Sequence, residues 1–212
     1  MIACLESSGS RGGIMMLRDC RIWKAKVVQI GAYTLACKFE ALLQNFECHI
    51  TGVYTPNCNI ERRKDWWEIG AVRGLVEGPW VVCSNFNITR FSSEKRNCLR
   101  RSRAMVKFSD FIDDMNLIDL PLEGGVYTWF KGHNQIISSR VDRILISEEW
   151  DDTFRNIKQS LLQRLISDHV PVSLQCGRPD FMLVCKMKAL KGKLKEWSRS
   201  SQENLGLQRP TC

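Results

Sequence analysis

The sequence predicts an α+β fold, built as a layered sandwich of helices and sheets. Short runs rich in Ile, Val and aromatic residues recur along the chain, which is typical of strands. Two longer stretches instead place apolar residues at three- and four-residue steps, the spacing of an amphipathic helix. Some strands adjoin directly and others are separated by helices, and this mixture favours α+β or a layered α/β sandwich over a doubly wound fold.

The first third of the chain is predicted to form an antiparallel meander. Strand-like runs cover residues 13–17, 21–30, 33–41 and 46–54, with turn-forming residues between them. Pro56 ends the last run, because proline cannot donate to a strand ladder.

Helices and further strands are predicted in the rest of the chain. The helical segments are 60–76 and 104–115, a short turn over 148–154, and a lysine-rich helix over 181–197. The strands are 80–83, 126–130, 140–147, 157–162 and 170–176. Trp66, Trp67 and Trp150 fall on helical faces, so we expect them in or beside the core rather than stacked on bases.

The composition is that of a globular protein with a basic surface. The 212 residues are 44% hydrophobic, which is enough for a sizeable core. A net charge of +8 favours a polyanionic partner such as nucleic acid, although an indifferent basic surface would give the same value. The ten cysteines form no CxxC pair or zinc spacing, and neither a signal segment nor a membrane span is evident. We therefore expect a reduced intracellular protein, nuclear or cytoplasmic, that is not secreted and contacts no membrane.

Two asparagines follow the apolar run 80–83. The stretch PWVVCSNFNITR delivers Asn85 and Asn87 directly after that predicted strand. Amides hold no charge near neutral pH, so this pair alone can be neither a base nor a strong metal ligand. A recognition site, a damaged catalytic site and a polar turn all remain open for it.

Titratable side chains occur at two later strand ends. In SDHVPV, Ser167, Asp168 and His169 stand directly before an apolar strand, and SSRVDRILIS contains Asp142. Taken alone, the histidine is more simply a loop-end side chain satisfied by a neighbour, and Asp142 an ion-pair partner of an arginine.

Two more motifs place polar side chains near strand ends. GVYTPN contains Tyr54 and Asn57, and YTW contains Thr128. Strands of a packed sheet can converge on one rim, so the sequence predicts that the polar groups of all these motifs gather at one site.

In this order, the motifs resemble the endonuclease/exonuclease/phosphatase superfamily, whose fold is deoxyribonuclease I-like. The resemblance is closest to the endonuclease domain of plant LINE-type retrotransposon polyproteins, with the pattern TGVYGPN, GDFN, F.DFI...L.DLPL.GG.YTW, SR.DR.L.S..W and SDH.P. This chain has TGVYTPN, CSNFN, FSDFIDDMNLIDLPLEGGVYTW, SSRVDRILISEEW and SDHVPV over residues 10–177. The terminal KMKALKGKLKEW resembles the helical region before reverse transcriptase in those polyproteins.

The resemblance implies metal-dependent hydrolysis of DNA phosphodiester bonds, in which Mg²⁺ polarises the phosphodiester and water attacks in line. It implies that His169 contacts the scissile phosphate or activates water, and that Asp142 fixes the tautomer of that histidine. Asp168 matches the acidic residue at or near the metal. No small-molecule cofactor beyond the metal is implied.

The same resemblance assigns residues to substrate. Asn87 matches the asparagine that bonds the phosphate, while Tyr54 and Thr128 match side chains that position the phosphate and the flanking nucleotide. Asn57 and Ser167 are taken as further substrate-binding residues.

The chain departs from the family pattern at GDFN and at its beginning. Asn85 replaces the aspartate, and an amide cannot take or give a proton, so we expect a rate loss of about 10²–10⁴. The family also has an early metal-binding glutamate in a motif like QETK, whereas Glu6 in CLESSG resembles the loop beyond that motif. The sequence thus predicts a deoxyribonuclease I-like sandwich over 1–177 that lacks its N-terminal strands and is impaired or inactive, followed by a basic helical tail over 178–212.

Residues 90–107 are strongly basic and follow directly after Asn87. Arg90, Arg100 and Arg101 are predicted to contact DNA phosphates, which gives salt-dependent affinity without sequence choice. A solvated loop explains the same pattern equally well.

Three functions therefore remain open. The first is a DNA-nicking endonuclease, and the second is a nonenzymatic remnant that binds nucleic acid. The third is a phosphatase for a small phosphorylated molecule, which the basic segment and the closeness of the motif match disfavour.

Overall fold

The computed structural model describes residues 3–7, 12–55, 59–132, 137–164, 167–177 and 182–185. In chain order the strands are β1 (Ala3–Leu5), β2 (Ile14–Met16), β3 (Trp23–Ile30), β4 (Thr34–Ala41), β5 (Glu47–Tyr54), β6 (Trp80–Asn85), β7 (Leu117–Asp119), β8 (Leu122–Glu123), β9 (Trp129–Lys131), β10 (Ile137–Ser139), β11 (Asp142–Ser147), β12 (Lys158–Leu161), β13 (Val172–Gln175) and β14 (Met182–Cys185). The helices are α1 (Asn59–Arg73), α2 (Arg103–Asp114) and α3 (Glu148–Thr153), with a 3₁₀ turn at Ser92–Glu94.

The strands form a six-stranded and a four-stranded sheet, with two short pairs beside them. The larger sheet has the order β3-β4-β5-β6-β11-β7, and the smaller has the order β14-β13-β12-β8. β3, β4 and β5 make the predicted antiparallel meander. β6 then runs parallel to β5, which requires a crossover, and α1 provides it.

The larger sheet is covered on both faces. In β11, Ile144 and Ile146 face the four-stranded sheet, where they share one core with Val172. Leu145 points the other way, into a second core with Ile112 of α2. Successive side chains of a strand alternate between faces, so one strand serves both cores. The helices α1 and α2, the six-stranded sheet and the four-stranded sheet are therefore stacked layers, and the predicted α+β sandwich is confirmed.

Gly52 permits a close approach at the centre of the sandwich. A Cβ at this position in β5 would lie 2.7 Å from the Cγ2 of Ile14 in β2. The glycine of the TGVY motif therefore lets the β1–β2 pair pack against the larger sheet.

Several predicted elements differ in detail. Residues 13–17 were expected to join the meander, but β2 pairs with β1 instead. The strand expected over 126–130 forms at Trp129–Lys131. A helix was predicted over 181–197, but Met182–Cys185 is a strand paired with β13. The prediction failed there because a short apolar run does not distinguish a helix from a strand. The rest of that predicted helix lies outside the described residues.

The tryptophans of α1 have different environments. Trp66 stacks on Phe111 of α2 with ring centroids 5.2 Å apart, and Trp150 in α3 is fully buried, as predicted. Trp67 is 81% exposed, so its predicted place beside the core is wrong. One residue step turns a helix by about 100°, so Trp67 leaves the face on which Trp66 is stacked and borders an open groove that α2 residues also line. In the described part of the chain, no helix is long and apolar enough to cross a membrane.

Candidate active site

Three polar side chains stand side by side at one edge of the six-stranded sheet. Tyr54 ends β5 and pairs in register with Asn85, the last residue of β6. Asn85 in turn pairs with Asp142, the first residue of the antiparallel strand β11. Because β11 runs opposite to β6, its beginning lies where β6 ends. The strand ends that carry Tyr54, Asn85 and Asp142 therefore meet at this rim.

Asp142 and His169 form a buried pair at the same rim. One carboxylate oxygen of Asp142 lies 2.7 Å from Nδ1 of His169, and both side chains are almost fully enclosed. The other oxygen of Asp142 is buried without a hydrogen-bond partner in the described part of the protein. Among the described residues Asp142 pairs with no arginine, so the simpler interpretation of it as an ion-pair partner of an arginine is wrong, whereas His169 is indeed a loop-end histidine with a neighbouring partner.

Backbone bonds fix the position of His169. Its N–H donates to the Ser167 hydroxyl at 3.1 Å, and the residue forms a bridge with Trp129. The next N–H, that of Val170, donates to the carbonyl of Thr128 at 2.7 Å. The histidine therefore sits on a frame set by the YTW motif.

Thr128 is fully buried, and it bonds both to the segment that carries Asp142 and to the segment that carries His169. Its hydroxyl accepts hydrogen bonds from the backbone N–H groups of Val141 and Asp142, each at 3.0 Å. The predicted contact of this side chain with a nucleotide does not fit that position. Its bonds instead locate the start of β11.

The two asparagines form a compact turn at the end of β6. The side-chain oxygen of Asn85 accepts from the N–H of Asn87 at 3.0 Å. The side-chain amide of Asn87 donates to the carbonyl of Thr55 at 2.6 Å. Asn87 has φ +50°, a left-handed conformation that asparagine tolerates better than most residues.

A buried acid behind this turn was missed by the sequence reasoning. Asp65 of α1 is fully buried, and it accepts from the Thr55 hydroxyl at 2.5 Å. Burial raises the pKa of Asp65 to about 7. Its position four residues before Ile69 puts an acid on the apolar stripe of α1, and that pattern was the available signal.

Comparison with solved structures identifies the fold. No protein-family model and no curated protein matches the chain. The endonuclease domain of TRAS1, a telomere-specific non-LTR retrotransposon, superposes with a TM-score of 0.59 at 13% identity, covering 84% of this chain and 81% of that domain. The chain has the deoxyribonuclease I-like fold.

Other solved structures with lower scores include enzymes of different specificity. A mannosyl-6-phosphatase from Bacteroides thetaiotaomicron gives a TM-score of 0.49 at 17% identity over 68% of this chain and 56% of its own. Sphingomyelinase C from Streptomyces griseocarneus gives 0.47 at 10% identity over 77% of this chain and 60% of its own. These scores are too low to bear on the site of this chain.

The described residues do not make a complete Mg²⁺ site in this deoxyribonuclease I-like fold. Asp168, the predicted metal ligand, is exposed, and its carboxylate accepts from the indole N–H of Trp129 at 2.9 Å. Among the described residues, no cluster of three or more His, Cys, Asp or Glu side chains could hold a metal. Mg²⁺ is usually held by one or two carboxylates together with water and substrate phosphates, so Asp168 alone would give a minimal site.

The predicted substrate residues occupy different environments. Asn57 lies outside the described residues. Arg90 is mostly enclosed and pairs with Asp113 at 2.7 Å, which ties it to the fold rather than to a ligand. Arg100 and Arg101 are exposed, as a phosphate contact requires.

A buried ion network lies under the basic segment, and sequence reasoning did not detect it. Glu94 pairs with Arg143, and Asp119 pairs with Arg143 at 2.5 Å and with Arg140 at 2.9 Å. Burial lowers the pKa of Arg140. In the sequence Glu94 is a lone acid among exposed cations, and only the tertiary structure shows that it belongs to the interior.

Proposed function

We propose that this chain is a retrotransposon-type endonuclease domain whose reaction, metal-dependent hydrolysis of DNA phosphodiester bonds, is impaired. One observation carries the proposal: the buried Asp142–His169 pair beside Asn85, at the rim of the sheet. The fold shared with a retrotransposon endonuclease domain supports the choice of reaction.

The contact between Asp142 and His169 supports a chemical role for each. Asp142 accepts the N–H of His169 at Nδ1, so Nε2 is the nitrogen left to take a proton from water or to meet a phosphate oxygen. Ser167 and Thr128 hold the two partners in place through backbone bonds.

The impairment follows from the residue beside the pair. The side chain at position 85 reaches the rim, yet an amide there can neither activate water nor protonate a leaving oxygen. The impairment is also supported by the donor set, because the described residues bring together no cluster of three or more His, Cys, Asp or Glu side chains that could hold a metal.

A nonenzymatic remnant that binds nucleic acid is the second candidate. It is favoured by the exposed cations Arg100 and Arg101, which lie on a segment that begins three residues after Asn87. Phosphate contacts of this kind need no catalytic carboxylate.

A plasmid-nicking assay with Mg²⁺ tests the proposal and separates the candidates. We expect the wild-type chain to nick at or near background, Asn85→Asp to nick measurably, and the added change His169→Ala to remove that activity. Strong wild-type nicking that vanishes on His169→Ala would overturn the impairment. DNA binding with no nicking by either protein would favour the remnant, and turnover of an inositol phosphate without nicking would favour a phosphatase.

A further inference from the structure

The basic segment presents an apolar tip. Leu99 is 96% exposed and is followed by Arg100 and Arg101. A turn shapes the tip: the N–H of Cys98 donates to the carbonyl of Lys95 at 3.2 Å, and the Cys98 thiol donates to the carbonyl of Arg100 at 3.3 Å. Leu99 is therefore held at an apex by bonds on both sides.

The base of this turn is fixed to the interior. Glu94 is buried, and its carboxylate accepts from the backbone N–H groups of Arg90 and Phe91 while pairing with Arg143. Its carbonyl accepts from the N–H of Arg140 at 2.9 Å. A tip mounted in this way loses little conformational entropy when it binds, so an exposed leucine there can contribute to affinity.

The tip is connected directly to the rim that carries the Asp142–His169 pair. Lys95 forms a bridge with Ser139, and the carbonyl of Ser139 accepts from the N–H of Thr128 at 3.1 Å. Thr128 in turn holds the N–H of Asp142. Lys95, four residues before Leu99, is therefore joined to the rim through backbone bonds.

The charge around Leu99 specifies a polyanion. Residues 95–107 contain no acidic side chain, and their cations are all exposed: Lys95, Arg96, Arg100, Arg101, Arg103 and Lys107. Arg101 lies over the ring of Phe91, with its guanidinium carbon 5.7 Å from the ring centroid, and its guanidinium donates to the Ser109 hydroxyl. Some DNA-binding proteins insert an apolar side chain, called a wedge, between neighbouring base pairs. Leu99, which stands beside cations that can bind phosphate, matches that arrangement.

We propose that Leu99 is a wedge that inserts between neighbouring base pairs of duplex DNA while Arg100 and Arg101 contact the flanking phosphates. This inference rests on the proposed function and adds the form of the substrate: a duplex that is easily unstacked, rather than a single strand. Pyrimidine–purine steps kink most readily, so a TA step is the favoured insertion point.

Binding of the full chain to a short duplex with 2-aminopurine beside a central TA step tests the wedge. The wild-type chain is expected to raise 2-aminopurine fluorescence as it binds. Leu99→Ala is expected to lower affinity by about tenfold, to abolish the rise and to leave the salt dependence unchanged, because it removes apolar contact and no charge. Leu43→Ala removes another exposed leucine (88%) in the turn between β4 and β5, and should change nothing.

An arginine variant and a second probe complete the design. Arg100→Ala should keep the fluorescence rise and reduce the slope of log affinity against log salt by about one. The wedge is overturned if Leu99→Ala behaves as wild type, or if it weakens binding to a single strand of the same sequence to the same extent. If the wild-type chain binds no duplex at low salt, the proposed function fails as well, whereas wild-type binding that Leu99→Ala leaves intact defeats the wedge alone.

Discussion

The carboxylate of Asp142 lies 2.7 Å from Nδ1 of His169, and the two residues stand on segments that lead into different sheets. Asp142 opens β11 in the six-stranded sheet, whereas His169 stands shortly before β13 in the four-stranded sheet. The pair therefore links the two layers of the sandwich as well as forming the chemical centre of the rim.

Removing either member of this pair should destabilise the protein. Asp142→Ala leaves the buried imidazole without its partner, at a cost of about 1–3 kcal/mol in the free energy of unfolding. His169→Ala leaves a buried carboxylate unpaired and should cost at least as much. Urea denaturation of both single variants and the double variant measures the coupling.

The double variant should be more stable than additivity predicts, because neither group is then left unpaired. Additive losses within error would show that the short contact contributes nothing to the link between sheets.

Asn85→Asp should gain activity and lose stability together. The new carboxylate can accept from the N–H of Asn87 as the amide does, so the turn is retained. It also supplies acid–base capacity, and we expect nicking to rise by up to about 10²-fold while remaining slow, because the metal site is still incomplete. A second carboxylate directly opposite Asp142 should lower the free energy of unfolding by about 1–3 kcal/mol.

Asn156→Asp is the matched control, since it makes the same change from amide to carboxylate at an exposed position distant in sequence from these motifs. This control should change neither the nicking rate nor the free energy of unfolding. Unchanged nicking by Asn85→Asp would remove position 85 from the chemistry, and full activity would show that the metal site is complete after all.

Asp65 should make the stability of the protein fall as pH rises. Burial raises the pKa of Asp65 from 3.8 to about 7, so between these values the folded chain holds a proton that the unfolded chain releases. The contribution of Asp65 to the free energy of unfolding is greatest below pH 3.8, declines by about 1.4 kcal/mol per pH unit across the window, and levels off above pH 7. Asp65→Asn should remove this decline, because an amide can accept the Thr55 bond without ionising.

The quantity to measure is the difference in unfolding free energy between wild type and Asp65→Asn at several pH values. His49, whose pKa is lowered by burial, adds a slope of the opposite sign to both proteins and cancels in the difference. Asp110→Asn on the exposed face of α2 is the control, and its profile should follow wild type. A difference that does not vary with pH would show that Asp65 titrates normally.

Removing a carboxylate from the buried ion network under the basic segment should cost more stability than removing one from a surface ion pair. Glu94→Gln leaves the fully buried Arg143 with less compensation and should cost about 3–5 kcal/mol. Glu47→Gln removes a largely exposed partner of Lys38 and should cost less than about 1 kcal/mol. Thermal unfolding of the two variants compares them, and equal shifts in Tm would show that Glu94 contributes no more than a surface carboxylate.

Much of the fold could be predicted from local pattern. The meander was found because β3, β4 and β5 alternate or run apolar between turn-forming residues. The short strands β7, β8 and β10 were missed, since two or three residues are too few to show a period. Met182–Cys185 was assigned to a helix for the same reason.

The sequence alone determined which chemical groups this protein has: Asp142 and His169 at strand ends, and an amide at position 85 where a carboxylate would be needed. Only the tertiary structure decided how those groups are used. It paired Asp142 with His169 across the two sheets, and it buried Thr128, whose hydroxyl bonds the backbone at the start of β11. It also enclosed Glu94 among arginines and left Leu99 exposed at a fixed apex. The physical reason is that burial and pairing arise between segments far apart in the chain, and the spacing of residues within one segment does not encode them.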